Sequence, residues 1–410
     1  MRYGILLLGL GLLSSCAGPE ADTAAFTLPA EWEPHEAVWF TYNGNAIDTV
    51  LDEVVEALVP STYIVCVADN DSLAAGIRAR WDSLGIARDR YRMEVLWDSL
   101  MNGTVRDMGP IFLRERDGGL AVLDAGWNYY GDRDNLVGTT PRVLALAEGF
   151  PASMAEHQGL PVVHSDLVIE GGACEINSRG DLLQVEAVTM NRNPGWSKDS
   201  IANELRRVFG ARRVIWLKEG PTDDMWFLEP RIHGRVFNQG TGGHVDEFCR
   251  FVNDSTVLLA WPGDDELEDS VQLITRQRME VNQGVLEEAG LAVVKAPTPF
   301  TEYYTHRIDS MRDYDQRVLL GYPDLHHGDS IRYIPAAGYL NFLITNGCVV
   351  MPAYWHEGLP MAMKEKDERM RALLAQYFPD RRIVQVDPRA INWRGGGVHC
   401  WTQQQPSVEP

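Results

Sequence analysis

Trp393-Arg394-Gly395-Gly396-Gly397-Val398-His399-Cys400, near the end of a 410-residue chain, sets a thiol behind three glycines and beside an imidazole. A cysteine in that setting is either a nucleophile or an accident of composition. Three upstream segments place acid or imidazole beside similar glycine turns, which argues against accident. The pattern predicts a cysteine hydrolase whose site is assembled from distant parts of the chain.

The first upstream segment is Val105-Arg106-Asp107-Met108-Gly109-Pro110, which reads as a loop running into a strand. Alone, it reads better as a salt-bridged surface turn. The second, Val168-Ile169-Glu170-Gly171-Gly172, ends an apolar strand with an acid at a Gly-Gly turn. The third is Gly242-Gly243-His244-Val245-Asp246-Glu247-Phe248. If extended, its alternation turns His244, Asp246 and Phe248 to one face. His-x-Asp could also supply two metal ligands, but no third is evident. The patch His326-His327-Gly328-Asp329 reads better as a solvated loop. A thiolate needs a nearby cation or donors. In a strand His399 would face away from Cys400, so His244 is the expected partner and His399 is left a structural role.

Around these segments short strands alternate with helices. Strands are expected at residues 37–42, 63–67, 213–217, 291–294 and 382–386, and helices at 47–58, 72–84, 200–209, 269–289 and 361–378. Helices that each feed a short apolar strand suggest repeated units, although no strong sequence repeat accompanies them. No Gly/Ser-rich or Pro-rich linker interrupts the pattern, so residues 28–410 read as one continuous α/β domain. No Gly-x-Gly-x-x-Gly follows the first strand, and nucleotide binding has no support.

At the N-terminus, Met1-Arg2 precedes a short apolar run over residues 5–13 and then Ser14-Ser15-Cys16. The run is too short to span a bilayer and has the layout of a signal peptide. The segment resembles a bacterial lipoprotein cleavage site, which implies removal of residues 1–15, lipid on Cys16 and export. With Ala17 next, an outer-membrane address is expected in a diderm envelope. Residues 16–27 then form a tether. The plain alternative is an ordinary secretion signal. A composition of 45% hydrophobic and 23% charged residues is globular, and the net charge of -21 excludes a nucleic-acid partner while suiting a cationic ligand. Of six cysteines, Cys66, Cys249 and Cys348 lie in core-like runs and read as buried thiols. No pair has structural-zinc spacing.

Taken in order, these motifs resemble the agmatine deiminase and Porphyromonas-type peptidylarginine deiminase family of guanidino-group-modifying enzymes. The likeness runs from Leu28-Pro29-Ala30-Glu31-Trp32-Glu33-Pro34-His35 through Arg106-Asp107-Met108-Gly109-Pro110, Glu170-Gly171-Gly172, Asn191-Arg192-Asn193-Pro194 and Gly243-His244-Val245-Asp246. It continues in Asn341-Phe342-Leu343 and ends with Gly395-Gly396-Gly397-Val398-His399-Cys400-Trp401. The resemblance implies a five-bladed α/β propeller of pseudo-symmetric ββαβ units. It implies Cys400 as nucleophile, His244 as general acid and base, Asp107 and Asp246 as guanidinium-binding carboxylates, and Glu170 as the acid that orients His244. Asn341, Thr104 and Arg106 are expected to line the substrate. No metal or other cofactor is expected. The implied partner is a cationic guanidino compound or an arginine-containing peptide, and the implied assembly is a dimer or larger.

Two departures bear on substrate. Agmatine deiminases usually carry a tryptophan where Thr104 stands. They usually carry an asparagine where Glu247 stands, and the glutamate pattern is shared with peptidylarginine deiminases. Arg114, Arg116 and Arg192 are candidates for clasping a substrate carboxylate, though each reads better as surface or structural. The competing classes are an amidinotransferase or dihydrolase with the same residues, a non-catalytic lipoprotein that binds guanidino compounds, and, most weakly, a cysteine protease.

Overall fold

The structure, a computed structural model, describes residues 24–42, 44, 47–96, 104–133 and 141–408. The expected signal peptide, the acylation position Cys16 and most of the tether lie outside the described residues.

Among the described residues one arrangement recurs five times: two antiparallel strands, a helix, and a third strand parallel to the second. Ile111–Glu115, Leu120–Gly126, helix Phe150–Gln158 and Val162–Val168 form one such unit. Glu175–Ile176, Asp181–Val185, Lys198–Phe209 and Arg213–Leu217 form the next. Cys249–Asn253, Thr256–Ala260, Ser270–Glu288 and Ala292–Ala296 repeat it, as do Leu343–Ile344, Cys348–Pro352, Met361–Tyr377 and Arg382–Val386. The remaining unit joins the two ends of the chain. Strand Thr402–Pro406 runs antiparallel to His35–Thr41, which passes through helix Asp48–Leu58 to the parallel strand Tyr63–Ala68. Five units closed by the C-terminal strand are the expected propeller. A further sheet built from Arg231–His233, Val236–Phe237, Tyr304–Arg307 and Ser330–Tyr333 is contributed by the segments on either side of the Cys249–Ala296 unit.

Local sequence explains each element. The strand Cys348–Pro352 is buried at every position, as a strand covered on both faces should be. Helix Lys198–Phe209 buries Ile201, Ala202, Leu205, Val208 and Phe209, a stripe of helical period. The Ser197 side chain caps its start by accepting from Ser200 N, and Gly210 ends it with φ of 64°. The expected helices and strands fall within a few residues of their observed bounds. Cys66, Cys249 and Cys348 are buried free thiols.

Three local expectations are corrected. Val105–Met108 is a short helix rather than a loop. Val245–Glu247 is a tight 3-10 turn rather than extended chain. Residues 398–401 form a turn rather than a strand. Each lies immediately before the first strand of its unit, where the backbone must turn sharply to reach the middle of the ring.

Candidate active site

All five units contribute at the same point, the segment leading into the first strand. Asp107 precedes Ile111–Glu115, Glu170 precedes Glu175–Ile176, and His244 and Asp246 precede Cys249–Asn253. Asn341 precedes Leu343–Ile344, and Cys400 precedes Thr402–Pro406. All six side chains are buried.

His244 stands between two acids. Its Nε2 lies 2.5 Å from Glu170 Oε2, and its Nδ1 lies 3.5 Å from Asp107 Oδ1. Burial opposes its charge, but Asp107 and Glu170 outweigh burial and push it up to about 9. The imidazolium is therefore the resting form at neutral pH. Glu170 accepts in turn from Arg192 Nε at 2.8 Å. That pairing gives Arg192 a structural place and removes it as a carboxylate clasp. The turn that presents His244 is tied to Asp224 Oδ2, which accepts from Gly243 N at 3.1 Å and His244 N at 3.0 Å.

Asp107 accepts from Thr104 Oγ1 at 3.0 Å, Tyr130 OH at 2.8 Å and Gly172 N at 3.0 Å. Burial raises it, partly countered by His244. Asp246 is also opposed by burial, yet the hydrogen bond from His399 Nδ1 at 2.7 Å and the charges of His399 and His244 hold it below the usual carboxylate range.

Cys400 Sγ receives Asn341 Nδ2 at 3.2 Å and lies 3.6 Å from Asp246 Oδ2 and 3.5 Å from Glu247 Oε1. Burial and then the carboxylates of Asp246, Glu247 and Asp107 push its pKa well up. The resting group is the thiol. Burial, followed by Asp224, Asp246 and Asp223, also pushes the Glu247 carboxyl well up.

Two buried polar atoms in this cluster have no hydrogen-bond partner: His244 Nδ1 and Asp246 Oδ1. A Cβ on Gly172 would lie 2.8 Å from Asp107 Oδ1, 2.8 Å from His244 Nδ1 and 3.0 Å from Asp246 Oδ2. Only the missing side chain of Gly172 leaves room between the two carboxylates and the imidazole. Gly396, with φ of 102°, does the same beside the thiol, where a Cβ would come within 2.7 Å of Cys400 Sγ. The resulting gap has acceptors on two sides and donor and nucleophile facing in, which suits a planar cation with several N–H donors.

The five residues expected to do the chemistry are thus brought together, with amendments to the rest. His244 makes no direct hydrogen bond to Cys400; the gap at Gly172 lies on its open side. His399 does not turn away from the nucleophile, because the 398–401 turn directs both His399 and Cys400 at Asp246 Oδ2. Asn341 holds the nucleophile instead of lining the substrate: its Oδ1 accepts from His399 N at 2.8 Å and Cys400 N at 3.3 Å. Thr104 touches Asp107 and Tyr130 OH, so it supports a carboxylate. Arg106 is buried on the opposite side of its short helix, where it donates to His399 O, Glu31 and Gln404, and it is no substrate ligand. Arg114 pairs with Glu33 at 2.7 Å. The 326–329 patch is indeed an exposed loop, apart from half-buried Gly328 and Asp329. Among the described residues no third ligand joins the His244–Asp246 pair; a different set, Asp246, Glu247 and Cys400, places ligand atoms within 4.8 Å of one another. A soft divalent ion held there would occupy the thiol.

Sequence reasoning missed Tyr130, Glu31 and Asp224. Tyr129 and Tyr130 take left-handed φ of 55° and 58°, a strained geometry for aromatic residues. The strain brings the Tyr130 hydroxyl to Asp107 and its ring to 5.9 Å from His244.

Beside this centre lies a cleft of about 880 Å³. Gly395 and Phe227 are on its wall, and Phe227 stacks on Tyr130 at 4.7 Å. Arg312, Arg317 and Arg394 also line it.

A buried Cys–His–carboxylate constellation on a five-unit α/β ring defines a guanidino-group-modifying class of protein. Residues 27–406 match the model of the Porphyromonas-type peptidyl-arginine deiminase family, and the chain belongs to that family. An agmatine deiminase of Ectopseudomonas mendocina is 30% identical over 413 residues, covering 95% of this chain and 98% of its own. The solved agmatine deiminase of Enterococcus faecalis superposes with a TM-score of 0.68 at 22% identity, over 94% of this chain and 96% of its own. A C. jejuni agmatine deiminase solved with substrate bound gives 0.65 at 20%, over 93% and 96%.

Gly172→Ala fills the gap without demanding a forbidden backbone. Its kcat/KM is expected to fall at least about a hundredfold, as misplacement by an ångström commonly costs. The melting temperature should stay within a few degrees of wild type; steady-state kinetics with thermal denaturation checks both.

Proposed function

We propose that this protein is a guanidine deiminase, converting a guanidinium and water into a ureido group and ammonia through a covalent adduct on Cys400. The observation that carries the reading is the Gly172 gap, bordered by Asp107 Oδ1, Asp246 Oδ2 and the His244 Nδ1 that has no hydrogen-bond partner.

A guanidinium is planar and resonance-stabilised, hence a poor electrophile. Asp107 and Asp246 hold its N–H donors and draw its charge away from the leaving nitrogen. The same cation offsets the carboxylate field that keeps Cys400 protonated, and the thiol proton passes to solvent. The thiolate sulfur bonds to the central carbon. His244 gives its proton to one nitrogen, the C–N bond breaks and ammonia leaves, with a thiouronium adduct on Cys400. Neutral His244 then takes a proton from water as the water oxygen bonds to the same carbon. Collapse forms the ureido carbonyl, expels the thiolate and restores the starting protonation. Glu170, fixed by Arg192, keeps the imidazole aimed throughout.

Two substrate readings rest on specific observations. Agmatine is what the full-length relatives are named for. Arginine, free or in a peptide, is favoured by Arg312 and Arg394 on the cleft, which suit a carboxylate better than the ammonium of agmatine, while Arg317 there is already paired with Asp132. Arg317 stacks over Phe227 at 5.4 Å, and Arg394 is exposed. The cleft is also wide enough for ligands larger than one amino acid. The -21 net charge draws in any of these cations. Export with lipid on Cys16 is part of the same proposal, supported by the short apolar run and Leu13-Ser14-Ser15-Cys16.

Incubation with agmatine, arginine and arginine-containing peptides should release ammonia and ureido product in equal amounts from at least one, and none with Cys400→Ala. Transfer of the amidino group without ammonia would make it an amidinotransferase. For the preferred substrate, kcat/KM should decline as pH rises through about 9, where His244 loses the proton it must donate. An alkaline limb unaffected by His244 substitution would remove it as the acid. In a diderm host the mature N-terminus should be acylated Cys16 by mass spectrometry, and Cys16→Ser should abolish the modification.

A further inference from the structure

A chain of buried ionic contacts runs from Asp246 away from the substrate gap. Asp246 Oδ2 is 2.7 Å from His399 Nδ1, and His399 Nε2 is 2.5 Å from Glu31 Oε1. The other oxygen of Glu31 accepts from Arg250 Nη2, and Arg106 Nη1 lies 3.5 Å from Oε1. Arg250 Nε continues to Glu175 Oε2 at 2.9 Å. Glu31 comes from the turn before strand His35–Thr41, which is itself anchored: Arg381 Nη2 donates to Trp32 O at 2.6 Å, and Leu28 N donates to Phe209 O at 3.0 Å.

We propose that Glu31 and His399 are positioning residues of the deimination reaction, fixing through the two ring nitrogens of His399 which oxygen of Asp246 faces the guanidinium and keeping that carboxylate ionised. The inference rests on the deiminase reading. An ionised carboxylate only accepts, so each ring nitrogen that meets one must donate. His399 between Asp246 and Glu31 is therefore held as a double donor, and its ring cannot flip or change tautomer without facing a lone pair to a carboxylate. His399 Nδ1 thereby holds Oδ2, the Asp246 oxygen that borders the Gly172 gap, while Oδ1 is buried without a hydrogen-bond partner. Glu31 is held well below the usual carboxylate range: burial opposes its charge, but Arg250, His399 and Arg106 outweigh it. Asp246 is faced by His399, His244, Arg250 and Arg106 on the positive side, and by Asp107, Asp224, Glu247 and the Cys400 thiol on the other. Glu31 is faced also by His35 and Glu175. Replacing Glu31 by glutamine removes the carboxylate that faces Nε2 and lets an amide donate there, so the ring is no longer fixed as a double donor and its hold on Asp246 Oδ2 is loosened.

The test is the pH dependence of kcat and KM for full-length wild type, Glu31→Gln and Glu31→Asp, on whichever guanidine the wild type turns over. For Glu31→Gln the acid limb of kcat/KM should move up by about one pH unit, a tenfold loss at its foot. The alkaline limb should stay, and kcat at the optimum should remain within about threefold. Glu31→Asp keeps the charge but retracts it, so the acid limb should stay at the wild-type pH while kcat falls. A folded Glu31→Gln protein with the wild-type acid limb overturns the inference, as does an equal loss at every pH. Should Glu31→Gln not fold, Glu31→Asp decides: wild-type kcat overturns the inference, and lowered kcat with an unmoved acid limb supports it. A wild type silent on every guanidine overturns the deiminase reading and this inference together, which separates the two failures.

Discussion

The centre depends on keeping two carboxylates, Asp107 and Asp246, buried in the same small volume before any substrate arrives. Burial and mutual repulsion both favour protonation, and a protonated pair would not bind a cation. The surroundings answer with donors and cations placed unequally. Asp107 is supported by the Thr104 and Tyr130 hydroxyls, Gly172 N and nearby His244. Asp246 is supported by His399 and sits lower. Carboxylates with separated affinities for protons are a common basis for dividing roles in one site.

Fivefold repetition makes this possible. Each unit delivers one short turn at the start of its first strand, and the five turns meet where no single unit could bury so many charges. The turns have diverged in type: a helical turn at 105–108, 3-10 turns at 171–173 and 245–247, and the glycine-rich bend before Cys400. The scaffold repeats while the chemistry does not, because strands and helices supply position and the preceding turns supply function.

That division explains what could be read from the sequence. Asp107, Glu170, His244, Asp246 and Cys400 each stand beside glycine or at the end of an apolar run, so local pattern marks them. Helix and strand periods marked the repeated units, and the ordered motifs supplied their number. Arg106 was misjudged because a helical turn sends successive side chains in different directions: Asp107 faces the gap and Arg106 faces Glu31. Asn341 was placed on the substrate because a motif does not tell which neighbour an amide serves. Glu31, Tyr130 and Asp224 act on partners that no local spacing reveals, since Glu31 reaches His399 across almost the whole chain.

Buried ion pairs are weak evidence for stability, because removing two charges from water costs about as much as their attraction returns. The chain of Asp246, His399, Glu31, Arg250 and Glu175 is better understood as a device for orientation. Each member is fixed by partners on both sides, so rotating one breaks contacts at its neighbours. A freely hydrated carboxylate would bind guanidinium in many poses, whereas attack on its central carbon requires one. The low dielectric that makes the network costly also strengthens its hold on Asp246, and places the flat cation so that Cys400 lies on one side and His244 can reach the departing nitrogen.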